Sequence, residues 1–299
     1  MIESKGATKR FDKFTALDNL NCKIKDASIY GLVGANGAGK STFLRLLSGI
    51  YKCDLGQILI DGQKVYENTE VKNKIAFIPD ELHFLPQATI NKMAKFYNEM
   101  YKDFNTKRYN NLVKTFRLNP DTNINTFSKG MKRQAATILA LSCMPKYLFF
   151  DETFDGLDPV MRNLVKEVIY NDSIERGTTT IITSHSLREL EDTCDQLSLL
   201  YKGGIVFESD TENLKTSLFK VQIAFNEEYT ENKFTGIEII KYNQKGSVAN
   251  FIVRGDKNTT VDKLTSLNPV LLEVLPLSLE EVFIYEMEAL GYAFKEVDM

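Results

Sequence analysis

Eight consecutive residues carry the densest chemistry in this sequence. Gly34-Ala35-Asn36-Gly37-Ala38-Gly39-Lys40-Ser41 fits the pattern G-x-x-x-x-G-K-[ST]. Glycines let a backbone wrap an anion with its N–H groups turned inward, and a helix that opens directly afterwards adds a favourable dipole for negative charge. An apolar stretch ending at Val33 precedes the pattern, and Thr42 to Leu47 read as a helix start, which is the setting a phosphate-binding loop requires. In this reading Gly34, Asn36, Gly37, Ala38, Gly39 and Thr42 shape a nucleotide pocket, Lys40 reaches the β- and γ-phosphates, and Ser41 ligates Mg²⁺. Many folds use such a loop, so it points to a nucleotide and not to a function.

A second constellation is Tyr147-Leu148-Phe149-Phe150-Asp151-Glu152, an apolar run ending in two carboxylates. A buried strand tolerates such charges only where something at its end compensates them, and Mg²⁺ does so. Asp151 is the candidate metal partner, whereas Glu152 suits a general base that orients or activates water. His185 stands directly after another apolar run, where it could hydrogen-bond a γ-phosphate; a satisfied structural histidine is the competing reading. The other histidine, His83, reads as a solvated loop residue.

The elements that must position these groups are short apolar runs, Ser28 to Val33, Lys74 to Ile78, Tyr147 to Asp151 and Thr178 to Thr183, alternating with segments of helical periodicity. That alternation predicts an α/β fold with a mostly parallel sheet. Ile90 to Lys102 and Thr106 to Leu118 are patterned as helices with no strand between them, and read as a helical insert. Beyond Gly203-Gly204 the character changes. Phe219 to Phe225, Ile237 to Tyr242 and Ser247 to Val253 alternate as strands do, with Asn243 to Gly246 as a hairpin turn. A helix around Thr260 to Leu267, a strand at Val270 to Leu275 and a last helix from Ser278, capped reciprocally by Glu281, complete the chain, with a domain boundary near residues 209–215.

Composition narrows the function classes. Lys plus Arg number 37 against 40 Asp plus Glu, a formal charge of -3, so no global basic field exists to hold nucleic acid. The opening residues Met1-Ile2-Glu3-Ser4-Lys5 lack a signal-peptide pattern, and the expectation is a cytoplasmic chain. Cys22, Cys53, Cys143 and Cys194 are scattered and read as reduced thiols. Apolar runs are strand-sized, well short of the roughly 18 residues that cross a bilayer, so any membrane work would need another chain.

Three further stretches carry a family resemblance. Asp151-Glu152-Thr153-Phe154-Asp155-Gly156-Leu157-Asp158-Pro159 resembles the Walker B and D-loop of ABC ATPases. Phe127-Ser128-Lys129-Gly130-Met131-Lys132-Arg133-Gln134 resembles their L-S-G-G-Q signature, and Thr183-Ser184-His185-Ser186 their switch-histidine loop. With the phosphate loop, these are four motifs in the family's order over about the first 210 residues. The resemblance implies a P-loop NTPase, ABC-type ATPase core over residues 1–210 with a helical signature subdomain at about 88–142, followed by a small C-terminal α+β accessory domain over 211–299. It is nearest to ATPases of bacitracin-, lantibiotic- and peptide-exporter-like systems.

Roles carried by the resemblance follow residue by residue. The family closes the signature of one subunit over the ATP of another, which gives Ser128 and Gly130 the partner's nucleotide and makes Asp158 a D-loop residue; Ser128 also suits a plain helix N-cap. Lys129 and Met131 depart from the family's glycine and glutamine. Phe11 falls where the family stacks an aromatic on adenine, with a core phenylalanine as the alternative. Asp80 replaces the glutamine that normally touches Mg²⁺ and the attacking water, and a carboxylate can also ligate the metal. The implied function is ATP hydrolysis by one subunit of an ABC transporter, an exporter, attached through a separate membrane-spanning permease to the inner face of the plasma membrane and paired with a second ATPase subunit, identical or different. The alternative is a soluble ABC-type ATPase remodelling DNA or ribosomes. The single cassette, the absence of a heptad tract and the near-neutral charge weigh against it.

Overall fold

The computed structural model describes residues 1–152, 154–211 and 218–289. Its chain divides into two compact units, Met1–Glu208 and Ser209–Met299. Residues 212–217, where the boundary expected near residues 209–215 continues, lie outside the described residues, as does Thr153.

In chain order the first unit contains β1 (Ile2–Phe11), β2 (Phe14–Ile24), β3 (Ile29–Val33), α1 (Lys40–Leu47), β4 (Leu55–Ile60), β5 (Gln63–Lys64), α2 (Thr69–Lys72), β6 (Ile75–Ile78), α3 (Ile90–Met100), α4 (Thr106–Phe116), α5 (Lys129–Ser142), β7 (Tyr147–Phe150), α6 (Pro159–Arg176), β8 (Thr179–Ser184), α7 (Leu187–Glu191) and β9 (Gln196–Tyr201). β10 (Gly204–Asp210) runs across the division.

Two sheets build this unit. One has the order β10-β9-β3-β8-β7-β6, with parallel pairing from β9 through β3, β8 and β7 to β6. Every residue of β3, β7 and β8 is buried, which is why these strands read as unbroken apolar or small-residue runs and not as alternations. Val33 pairs with Ser184, and Phe150 with Ile182. The loops after β3, β7 and β8 therefore leave the sheet at one edge, where open parallel sheets place their ligands.

The second sheet, β2-β1-β4-β5, is antiparallel and was not anticipated from the sequence. A shared core joins Leu17, Leu20 and Ile24 of β2 and Ile58 and Ile60 of β4 to Phe43, Leu44 and Leu47 of α1 and to Tyr147 and Phe149 of β7. Each such fully buried side chain contributes about 1.5–3 kcal/mol. This packing holds α1, and with it the loop at its N-terminus, against both sheets.

Helices α3, α4 and α5 form the insert, each N-capped by a side-chain oxygen, from Thr89, Asn105 and Ser128 respectively. Buried Asp172 of α6 binds Arg108 of α4 at 2.5 Å and Arg176 at 3.0 Å, which ties the insert to the helix after the 154–158 turn.

The second unit contains β11 (Leu218–Ala224), β12 (Glu238–Lys245), β13 (Val248–Arg254), α8 (Lys257–Thr265), β14 (Leu271–Pro276) and α9 (Leu279–Ala289). Its antiparallel sheet has the order β12-β13-β11-β14 and carries its own core of Phe219, Val221, Ile223, Phe251, Val253 and Leu264. The hairpin turn is Gly246-Ser247, not Asn243 to Gly246: the ladder continues to the pair Lys245–Val248, and Gly246 supplies the left-handed φ of 61° that the two-residue loop needs. Ser278 and Glu281 cap each other at the start of α9.

Candidate functional site

The loop between β3 and α1 is shaped by close approach. A Cβ at Gly34 would meet the Leu200 carbonyl at 2.5 Å. At Gly39, whose φ is 113°, one would meet the Ala16 carbonyl at 2.6 Å. Only glycine fits either position, so the loop sits hard against neighbouring backbone. Gly39 is the N-cap of α1 and has no side chain to cap it, and a helix N-terminus favours negative charge nearby.

A cleft beside the loop is lined by Ala35, Asn36, Gly37, Gly39, Lys40, Ser41 and Thr42, together with Phe14, Ala16, Asp80 and Glu152. Lys40 is buried, and its Nζ donates to the Gly34 carbonyl at 2.7 Å and pairs with Glu152 Oε1 at 3.2 Å. The other Glu152 oxygen, Oε2, lies 3.0 Å from His185 Nδ1. One carboxylate thus bridges the loop lysine and the histidine.

Glu152 owes this position to its backbone. It lies just past β7 with a left-handed φ of 50°, and its N–H donates to Thr183 Oγ1 of β8 at 3.1 Å. The same hydroxyl donates to Asp151 Oδ1 at 2.7 Å. Asp151 is buried, and among the described residues its Oδ2 has no hydrogen-bond partner. Burial pushes the Asp151 carboxyl above its ordinary range; Thr183 and the nearby Ser41 hydroxyl favour the charged form, and the negative Glu152 and Asp80 oppose it. An orphaned, desolvated carboxylate oxygen beside the Ser41 hydroxyl is the donor set a hard cation such as Mg²⁺ takes.

The structure brings together most of the residues singled out by sequence, but not all. Gly34 and Ala38 support the loop from behind: Ala38 N–H donates to Ala35 O at 3.1 Å, and Ala38 O accepts from Gly203. Phe11 is absent from the cleft lining. Its ring packs edge-on against Tyr51 at 5.4 Å between centroids, while the more exposed Phe14, three residues on, lines the cleft. Ser128 and Gly130 also lie outside this cleft. Ser128 Oγ caps α5 by accepting from Met131 N–H at 3.3 Å, and Gly130 packs so closely on the 154–158 turn that a Cβ would sit 2.5 Å from Gly156 O. Asp158 N-caps α6, accepting from Val160 and Met161 N–H groups at 3.0 and 2.9 Å. His83 is exposed, near Glu81.

Sequence reasoning missed Arg133. Its fully buried guanidinium donates to the carbonyls of Asp151 (3.0 Å), Glu152 (2.5 Å) and Asp80 (2.9 Å), and to Asp80 Oδ1 (2.9 Å). The available signal was its phase: it shares a helical stripe with Thr137 and Leu141, both buried, where a cation needs fixed partners. One turn earlier Lys129 pairs with Asp155 at 2.5 Å and holds that carboxyl below its ordinary range.

Comparison with known proteins shows what the chain is similar to. A family model described as ABC transporter matches residues 17–155. The chain is 29% identical to the ABC transporter ATP-binding protein YtrB of Bacillus subtilis (strain 168), over 95% of this chain and 97% of that protein. It is 32% identical to the probable sulfate/thiosulfate import ATP-binding protein CysA of Chlorella vulgaris, over 67% and 86%. With the bacitracin transport ATP-binding protein BcrA of Bacillus licheniformis it shares 29% identity over 72% and 71%. Among solved structures, an ATP binding subunit of an ABC transporter superposes with a TM-score of 0.67 at 23% identity, covering 72% of this chain and 92% of that one. The dimeric post-hydrolysis state of the cassette MJ0796, bound to ADP and Pi, gives 0.64 at 22%, covering 71% and 99%.

Proposed function

Since this chain belongs to the ABC transporter family as an ATP-binding, ATP-hydrolysing subunit, we propose that it works as one of a pair of such subunits on a separate membrane-spanning permease, drives export, and sits at the inner face of the plasma membrane. The observation that carries its ATPase core is the contact series Lys40–Glu152–His185, whose lysine and glutamate line the cleft beside the phosphate loop.

Each side chain has work that its geometry suits. The loop and the N-terminus of α1 hold the phosphates of ATP, and Lys40 exchanges its contacts with Gly34 O and Glu152 for phosphate oxygens. That exchange frees one Glu152 oxygen to accept a proton from, or to orient, the attacking water, while His185 steadies the other and presents its ring toward the γ-phosphate. Ser41, Asp151 and, at the cleft edge, Asp80 would hold Mg²⁺. Bound there, the ion would neutralise charge developing on the phosphates.

No helix among the described residues is long and apolar enough to cross a membrane, and this supports a permease supplied by another chain. The dimeric state of the MJ0796 cassette supports pairing; in such a pair the resemblance of the signature stretch gives Ser128 and Gly130 the ATP of the other subunit. Export is supported by the resemblance to ATPases of bacitracin-, lantibiotic- and peptide-exporter-like systems; BcrA is named for bacitracin transport without a direction, and CysA, named for import, points the other way.

The test is co-expression with the product of a neighbouring gene encoding about six apolar helices of roughly 20 residues each. Co-purification in detergent and ATP-dependent movement of cargo out of the cytoplasmic compartment in inverted vesicles are expected. Co-sedimentation with ribosomes or DNA in place of the membrane protein would overturn the reading.

A further inference from the structure

We propose that Arg133 is a positioning residue for ATP hydrolysis, its guanidinium fixing the Asp151–Glu152 peptide so that the Glu152 carboxylate stays between Lys40 and His185. The inference rests on Glu152 being the group that handles the attacking water.

Arg133 lies on α5, behind the cleft, and is not among the residues lining it. Its planar fork meets three backbone carbonyls and one carboxylate from two different strands' ends: Asp151 and Glu152 beyond β7, Asp80 beyond β6. A guanidinium presents five N–H donors in a rigid plane, and lysine cannot reproduce that geometry. Glu152 itself occupies a left-handed backbone conformation, which costs free energy for a residue with a Cβ and persists only where its surroundings hold it. The Arg133 bond to Glu152 O on one side of the residue and the Thr183 hydroxyl at Glu152 N on the other are those restraints.

Asp80 gains a second role in this arrangement. A fully buried guanidinium needs an anion close by, and Asp80, whose side chain is half-exposed, provides Oδ1 at 2.9 Å. The departure from the family's glutamine at this position is thereby matched by a cation on α5. One helical turn before Arg133, the Lys129–Asp155 pair and the Gly130–Gly156 contact fix the same helix to the 154–158 turn. The start of α5 and the segment carrying Glu152 are thus held together at two levels.

The experiment compares the full chain with Arg133→Lys, Arg133→Gln, Glu152→Gln and the double variant Arg133→Gln/Glu152→Gln, measuring single-turnover hydrolysis, steady-state kcat and KM, equilibrium ATP affinity and thermal unfolding. A shift of about 1 Å in a catalytic group can cost on the order of 10²-fold, so Arg133→Lys and Arg133→Gln should lose between about 10- and 100-fold in kcat with ATP affinity kept within about 3-fold. Because Arg133 acts through Glu152, adding Arg133→Gln to Glu152→Gln should cost less than about 2-fold more. Arg133→Lys retains the buried charge and tests the idea even where Arg133→Gln fails to fold. Wild-type kcat in Arg133→Lys, or a full multiplicative loss in the double variant, would overturn the proposal. Wild-type turnover by Glu152→Gln would instead remove the reading on which it rests.

Discussion

Glu152 and His185 meet at 3.0 Å across the ends of two adjacent parallel strands, although 33 residues separate them in the chain. The register of β7 against β8 makes this contact, and Thr183, two residues before the histidine, anchors the glutamate's backbone from the same strand. Glutamine at position 152 keeps the size and one oxygen acceptor but cannot take a proton. Glu152→Gln is expected to bind ATP normally and to hydrolyse it about 10²–10⁴-fold more slowly. Unhydrolysed ATP should then hold two cassettes together: light scattering should show a dimer with ATP and none with ADP. Wild-type turnover would take the residue out of catalysis.

Asp80 combines a place in the cleft lining with a bond to Arg133. Asp80→Ala is expected to lower hydrolysis by at least about 10-fold while ATP affinity falls less, and chelation of Mg²⁺ should stop turnover in the unaltered chain. An affinity loss that matches the loss in rate would show that Asp80 serves binding alone.

Phe14 and Phe11 are the two candidates for stacking on adenine. The ring that lines the cleft belongs to Phe14, and Phe11 is engaged with Tyr51. Stacking is worth about 0.5–1.5 kcal/mol, so Phe14→Ala should weaken ATP roughly 2- to 10-fold and Phe11→Ala less than 2-fold, read by titration with a fluorescent ATP analogue. The reverse order would return the role to Phe11.

Every residue assigned to the site precedes the second unit, and that unit has a core of its own. A chain ending at residue 215 should fold and bind ATP within about 3-fold of the intact protein. Complete loss of affinity in a soluble, folded truncation would contradict the division.

Asp155 is held ionised by the Lys129 ammonium beside it, with Arg133 and His185 adding to the effect. Its folded-state pKa is depressed, so the associated stabilisation is present above the unfolded value and is lost as pH falls through the folded one. Replacing the cation in Lys129→Met should move the Asp155 midpoint upward in a carboxyl-resolved NMR titration. An unchanged midpoint would show that the pair does not persist in solution.

By itself the sequence marked the glycine-rich loop between an apolar strand and a helix, the acidic pair ending β7, the histidine after β8 and a change of pattern beyond Gly203-Gly204. Those features are local: glycines at positions where a Cβ would strike backbone, and strands buried on both faces, are written in contiguous residues. The antiparallel sheet escaped notice because β1 and β2 pair with repeated register shifts, and the shifts blur the two-residue alternation by which a strand is recognised. Tertiary structure alone decided that Phe14 and not Phe11 reaches the cleft, and that Arg133 grips carbonyls 18, 19 and 53 residues away. A buried guanidinium reveals its partners only once the strands that carry them lie side by side. A motif can specify what a loop binds, whereas the register of the sheet and the packing of α5 specify where the Glu152 carboxylate stands.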